Sequence, residues 1–149
     1  MGFNGLDEDE ETADMQEKVI DMAKESKSRR KAFAYWCVGG EEHKLKLKTP
    51  TVCQLEEKFK GNLLNILTGS GIPPLTIMLT VIQGAMKEWE HGVKYADIQR
   101  MFDQYCDEGG TQLTLFMDVI MPLMSVSGFF TDAQTEIMQD KMQEAKELL

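Results

Sequence analysis

The sequence predicts a mainly α protein of the α+β class, with an N-terminal β-hairpin followed by a bundle of about five helices. Three observations predict it. His43-Lys-Leu-Lys-Leu-Lys48 alternates apolar and charged residues strictly, which is the period of a half-buried strand. From Val52 onward apolar residues recur at three- and four-residue steps, the period of an amphipathic helix. Glycine, proline and Ser/Thr clusters then cut the remaining chain into helix-sized pieces.

The 149 residues suffice for one domain with a sizeable core and are too few for two ordinary ones. Residues 1–30 stand apart. Asp7-Glu-Asp-Glu-Glu11 is an acidic block and Lys24 to Lys31 a basic one. Between them Met15, Val19, Ile20, Met22 and Ala23 form only a thin stripe, so this segment is expected to be flexible, or helical only against a partner. A single hairpin-plus-bundle domain is expected over 31–149.

Within that domain Ala32–Val38 is an aromatic strand, Gly39–Glu42 a turn, and His43–Lys48 a second strand with leucines on one face and lysines on the other. His43 is placed on the polar side. Two strands cannot stand alone, so helices or another chain must lie beneath them. Thr49-Pro50-Thr51 opens a helix, with Thr51-Val-Cys-Gln54 as a capping box. Val52, Leu55, Phe59, Leu63, Ile66 and Leu67 extend it as one stripe. After a loop at Thr68–Pro74, Leu75–Trp89 is apolar nearly all round, as a central buried helix should be, and His91-Gly92 ends it. Tyr95, Ile98, Met101, Phe102 and Tyr105 line a third helix that stops at Gly109-Gly110. The fourth runs from about Leu113 to Met124, and Pro122 predicts a kink near its end. Gly128, Phe129 and Phe130 form a helix–helix junction. Thr131-Asp-Ala-Gln134 then restarts a helix through a capping pattern. This last helix places Met138, Met142, Ala145 and Leu149 in a stripe suited to pairing with another helix.

The chemistry-bearing residues are sparse. A net charge of −9 argues against a nucleic-acid or anionic-membrane partner, because both surfaces would repel the chain. Cys37, Cys53 and Cys106 are odd in number and contain no CxxC pair, which reads as free thiols in a reducing cytoplasm. The start of the chain lacks the pattern of a signal peptide, and the apolar run at Leu75–Ile82 is too short to cross a bilayer, so a cytoplasmic location is expected. His43 and His91 have no ligand partners at metal spacing. No nucleophile elbow, P-loop or GxGxxG occurs. A calcium loop starting at Asp107 fails, with Gly109, Gln112 and Asp118 where the third, sixth and twelfth positions demand other residues. Asp103, Asp107 and Glu108 read as a solvated helix end. No catalytic residue, cofactor site or metal site is assigned, and a non-enzymatic binding role is expected.

Candidate partner contacts are Met121, Met124, Phe129, Phe130, Met138 and Met142, because methionine-rich apolar surfaces repack easily against varied helix faces. The competing reading is that most of these residues are core.

The order of elements carries a resemblance. An alternating strand leads into a helix with Leu55-Glu-Glu-Lys-Phe59 and Asn62-Leu-Leu-Asn-Ile-Leu67. A proline loop and a helix ending Glu90-His-Gly-Val93 follow, then Ile98–Tyr105, Gly109-Gly110 and Ser127-Gly-Phe-Phe130. Over roughly residues 32–130 this resembles the tail assembly chaperones of long, non-contractile-tailed phages and prophages of Gram-positive bacteria. The acidic N-terminal extension has no counterpart in that pattern, and Lys94 stands where a better helix cap is expected. The resemblance implies binding to the tape-measure protein, which the chaperone keeps soluble while tail-tube subunits assemble, with the tail-tube protein as a further partner. It also implies the bacterial host cytoplasm and absence from the mature virion. Such chaperones are commonly made in a short form and a frameshifted longer form, and this chain would be the short one. Self-association through the hairpin edge or the last helix would supply the many copies a long client needs. Two alternatives remain at this point: a structural virion component (head–tail connector or minor tail protein), or a small acidic regulator of a host protein.

Overall fold

A computed structural model of the chain describes residues 31–148, apart from several side chains of the last helix. Residues 1–30, including the acidic block and the thin stripe, lie outside the described residues, as do Leu149 and the side chains of Met138, Met142 and Ala145.

The architecture is the expected α+β one. Strand β1 (Ala34–Val38) pairs antiparallel with β2 (Glu41–Leu45), with Trp36 opposite His43 and Ala34 opposite Leu45. The connecting turn is Gly39-Gly40 alone, tighter than the four residues expected. Both glycines take positive φ (61° and 78°), as a two-residue hairpin turn requires. Ala34, Trp36, Val38, His43, Leu45 and Leu47 face inward. His43 therefore shares the phase of the leucines, and its expected place on the polar side is corrected. Residues two apart share a face whatever their polarity, and a carboxylate at His43 makes its burial tolerable.

The helices are α1 (Thr49–Phe59), α2 (Leu63–Thr68), α3 (Leu75–Met86), α4 (Tyr95–Asp107), α5 (Gln112–Leu115), α6 (Met121–Val126) and α7 (Asp132–Leu148). The first expected helix is thus two. Lys60 adopts the left-handed conformation (φ 57°), and Asn62 caps the new helix by accepting from the Asn65 N–H at 3.0 Å. The Thr51–Gln54 capping box does not form. Thr51 lies inside α1 and is buried, while Gln54 accepts from Lys87 Nζ at 3.2 Å. Lys94 has no side-chain oxygen to cap α4, and Asp97 serves instead, accepting the Lys94 N–H at 2.8 Å.

The central helix α3 buries Met78, Leu79, Val81, Ile82, Gly84, Ala85 and Met86, and it packs against β2, α1 and α4. Gly84 allows a close crossing, since a Cβ there would sit 3.0 Å from Thr51 Cγ2. The expected Pro122 kink takes the form of a widened π-helical turn at Phe116–Ile120, joining α5 to α6. Pro122 cannot donate a backbone hydrogen bond, and its ring crowds the carbonyl four residues back; a wider turn upstream relieves both problems.

Candidate binding groove

Polar ties hold the hairpin and the residues after it to the bundle, among them the Lys46 N–H donating to the Ala85 carbonyl at 3.1 Å. The Gly39 N–H donates to both carboxylate oxygens of Glu108 at 3.0 Å. His43 Nδ1 lies 2.6 Å from Glu90 Oε1, beyond the end of α3. The Leu47 N–H donates to Ser127 Oγ at 3.0 Å. The last tie fixes the C-terminus of α6, where the chain changes direction.

That change of direction is built by backbone chemistry. Gly128 takes φ 88°, the Gly128 N–H donates to the Ser125 carbonyl at 3.2 Å, and the Phe129 N–H donates to the Met124 carbonyl at 3.0 Å. The two bonds together close the helix in a Schellman motif, which needs glycine at the left-handed position. Two residues later the next helix starts as the sequence predicts. The Gln134 N–H donates to Thr131 Oγ1 at 3.2 Å, and the Thr131 N–H donates to Gln134 Oε1 at 2.9 Å. Phe129 and Phe130 lie between these two caps.

Beside the junction runs a groove of about 330 Å³, lined by Leu64, Thr68, Phe129, Phe130, Gln134 and Ile137. Its walls are mainly apolar. Phe129 is half-buried, Phe130 is buried, and Ile137 is 55% exposed. Covering an exposed isoleucine or phenylalanine fully would contribute roughly 1.5–3 kcal/mol.

The structure therefore divides the six candidate contacts. Phe129 and Phe130 line the groove. Met121 and Met124 are fully buried, and their expected contact role is corrected: they face the core, where flexible thioethers fill space around the widened turn. The side chains of Met138 and Met142 lie outside the described residues. Leu64 and Ile137 were missed from the sequence. Leu64 follows the Asn62 cap of α2, which the apolar stripe from Val52 to Leu67 hides, and Ile137 lies six residues past the Thr131 cap.

No group of three His, Cys, Asp or Glu side chains is placed to hold a metal among the described residues. The Cys37 thiol is pushed above its ordinary range by desolvation and by the Glu42 carboxylate, and that of Cys106 by desolvation and by Asp103 and Asp107. Tyr105 is raised by burial, against the opposing effect of its 2.8 Å bond to Thr114 Oγ1. Each shift favours the neutral form, which is poorer as a nucleophile. Among the described residues no helix is long and apolar enough to cross a membrane.

The described residues form an α+β fold, a hairpin docked on a helical bundle with a groove lined by apolar side chains. The chain belongs to DUF6096, a family of unknown function, whose pattern matches residues 29–148. No curated protein and no solved structure matches the chain.

Proposed function

We propose that the chain is a non-enzymatic tail assembly chaperone, which holds an apolar helix face of a phage tape-measure protein while tail-tube subunits assemble. The observation that supports this reading most is the groove between Phe129, Phe130, Leu64 and Ile137, because it offers apolar area that folding leaves uncovered. An amphipathic helix buries its stripe in such a groove through side chains at three- and four-residue spacing. The order of elements over residues 32–130, which resembles that of tail assembly chaperones, adds independent support. On this reading the chain works in the bacterial host cytoplasm, uses no cofactor and is left out of the finished particle.

Co-expression with a phage tape-measure protein tests the proposal. Soluble tape-measure protein should rise several-fold with the wild-type chain and return to baseline with Ile137→Asp. Unchanged solubility with the wild-type chain would refute the proposal.

A further inference from the structure

The outward face of the hairpin is not simply a wet surface. Phe33 and Trp89 meet edge to face with centroids 4.9 Å apart, and three lysines gather over them. Lys44 Nζ lies 4.5 Å from the Phe33 centroid and 5.6 Å from that of Trp89. Lys46 Nζ lies 5.8 Å from Phe33, and Lys48 Nζ 5.4 Å from Trp89. Ring faces attract the ammonium groups and hold them in place. Trp89 Nε1 has no hydrogen-bond partner among the described residues, so packing with Phe33 and the lysines sets its ring position.

Among the described residues, the nearest carboxylates leave two of the three lysines unpaired. Glu88 pairs with Lys48 at 3.6 Å, Glu90 with His43 at 2.6 Å, and Glu42 accepts from Cys37 Sγ at 3.9 Å. Lys44 and Lys46 have no carboxylate partner among the described residues, although both are half-buried. Two positioned and partly desolvated cations thus stand side by side on a chain whose net charge is −9. Tyr35, 44% exposed and in register with Lys44, extends the face.

We propose that this face, Lys44, Lys46 and Lys48 around Phe33 and Trp89, docks an acidic segment of a partner protein. Its charge and spacing fit that occupant. Alternate residues of an extended segment stand about 6.6 Å apart, the same step that separates Lys44 from Lys46 along the hairpin, so successive carboxylates can meet successive ammoniums. The rings offer apolar area to the side chains between. A nucleic acid is the poorer occupant, because its charges run on past the three lysines and face the acidic remainder of the chain, whereas a short acidic segment can end with the lysines. The inference does not rest on the groove.

The test is an anisotropy titration of the full chain with a fluorescein-labelled decapeptide of alternating Glu and Thr, up to about 1 mM, at about 0.1 M salt. Saturable binding is expected. Lys44→Glu/Lys46→Glu should weaken it more than about tenfold, like charges then facing each other. Lys44→Gln/Lys46→Gln, which keeps uncharged side chains on the face, should weaken it by a smaller factor. Lys58→Glu/Lys141→Glu, equal in charge change but off the face, should stay within about twofold. Urea midpoints establish that each variant is folded. Absence of saturation with the wild-type chain, equal losses in the on-face and off-face variants, or tighter binding of a ten-residue oligothymidylate would each overturn the proposal.

Discussion

Leu115–Met124 and Val126–Ile137 are neighbouring stretches whose large apolar side chains meet opposite fates. In the first, Leu115, Phe116, Ile120, Met121, Leu123 and Met124 are fully buried around the widened turn. In the second, the chain leaves the core at Gly128, and Phe129 and Ile137 remain partly in solvent beside the groove. The first stretch is the richer in apolar residues, yet richness alone does not decide where Phe129 and Ile137 sit. The separation comes from backbone geometry: a Schellman motif at Gly128, the capping box at Thr131–Gln134 and the Leu47–Ser127 tie decide which apolar side chains the bundle can cover.

The largest expected effect breaks the buried stretch. Phe116→Ala should cost about 3–5 kcal/mol and Met121→Ala about 2–5 kcal/mol, read from urea unfolding, because each leaves a cavity that close-packed neighbours cannot fill. Once folded, the Met121 variant should still bind an apolar helix, since Met121 does not reach the groove. Ile137→Asp sharpens the contrast from the other side. Its unfolding free energy should move by no more than about 0.5 kcal/mol, as at most exposed sites. Client-helix affinity should nevertheless fall more than about tenfold by calorimetry, through lost apolar contact and a carboxylate placed beside Phe129.

Gly128→Ala addresses the boundary itself. A Cβ there meets nothing within 4 Å, so its cost is the left-handed backbone (φ 88°) alone, about 1 kcal/mol in the same unfolding experiment. A markedly larger cost would mean that the junction carries strain beyond that one residue. The smallest effect is a control on the hairpin, outside both stretches. Glu42 raises the Cys37 pKa, so Glu42→Gln should lower it and increase the thiolate fraction at pH 8. Iodoacetamide labelling of Cys37, followed by mass spectrometry, should then accelerate about two- to threefold with no change in groove binding.

Much of the fold was legible because periodicity reports faces directly. The His43–Lys48 alternation marks the leucine and lysine faces, although β2 itself runs Glu41–Leu45, starting and ending earlier than that pattern, and the apolar residues of Leu75–Met86 mark the central helix. The errors arose where residue type was weighed above phase or where a stripe ran through a break. His43 was placed outside for its polarity, while its phase with Leu45 put it inside against Glu90. Phe59 and Leu63 keep helical spacing across Lys60-Gly61-Asn62, so the apolar pattern alone shows no break there. The cap that splits them is a local hydrogen bond at Asn62, whose competing claim the stripe concealed.

The groove was half legible. Phe129 and Phe130 stood out beside Gly128 and the Thr131 cap. Met121 and Met124 were placed with them because methionine is adaptable in either setting, and only the helix rotation beyond the widened turn assigns them inward. The aromatic floor of the lysine face joins Phe33 to Trp89 across 56 residues, a pairing that no local pattern encodes.

The most direct measurement places a photo-crosslinking p-benzoylphenylalanine at Ile137 and, separately, at Ile72, which is 44% exposed and outside the groove. Each variant is co-expressed with a phage tape-measure protein and irradiated in cells. A strong adduct to the tape-measure protein from position 137, with little from position 72, is the expected result. Equal yields from both positions, or no adduct from position 137, would contradict the account that the Phe129–Ile137 groove is where this chain grips its client.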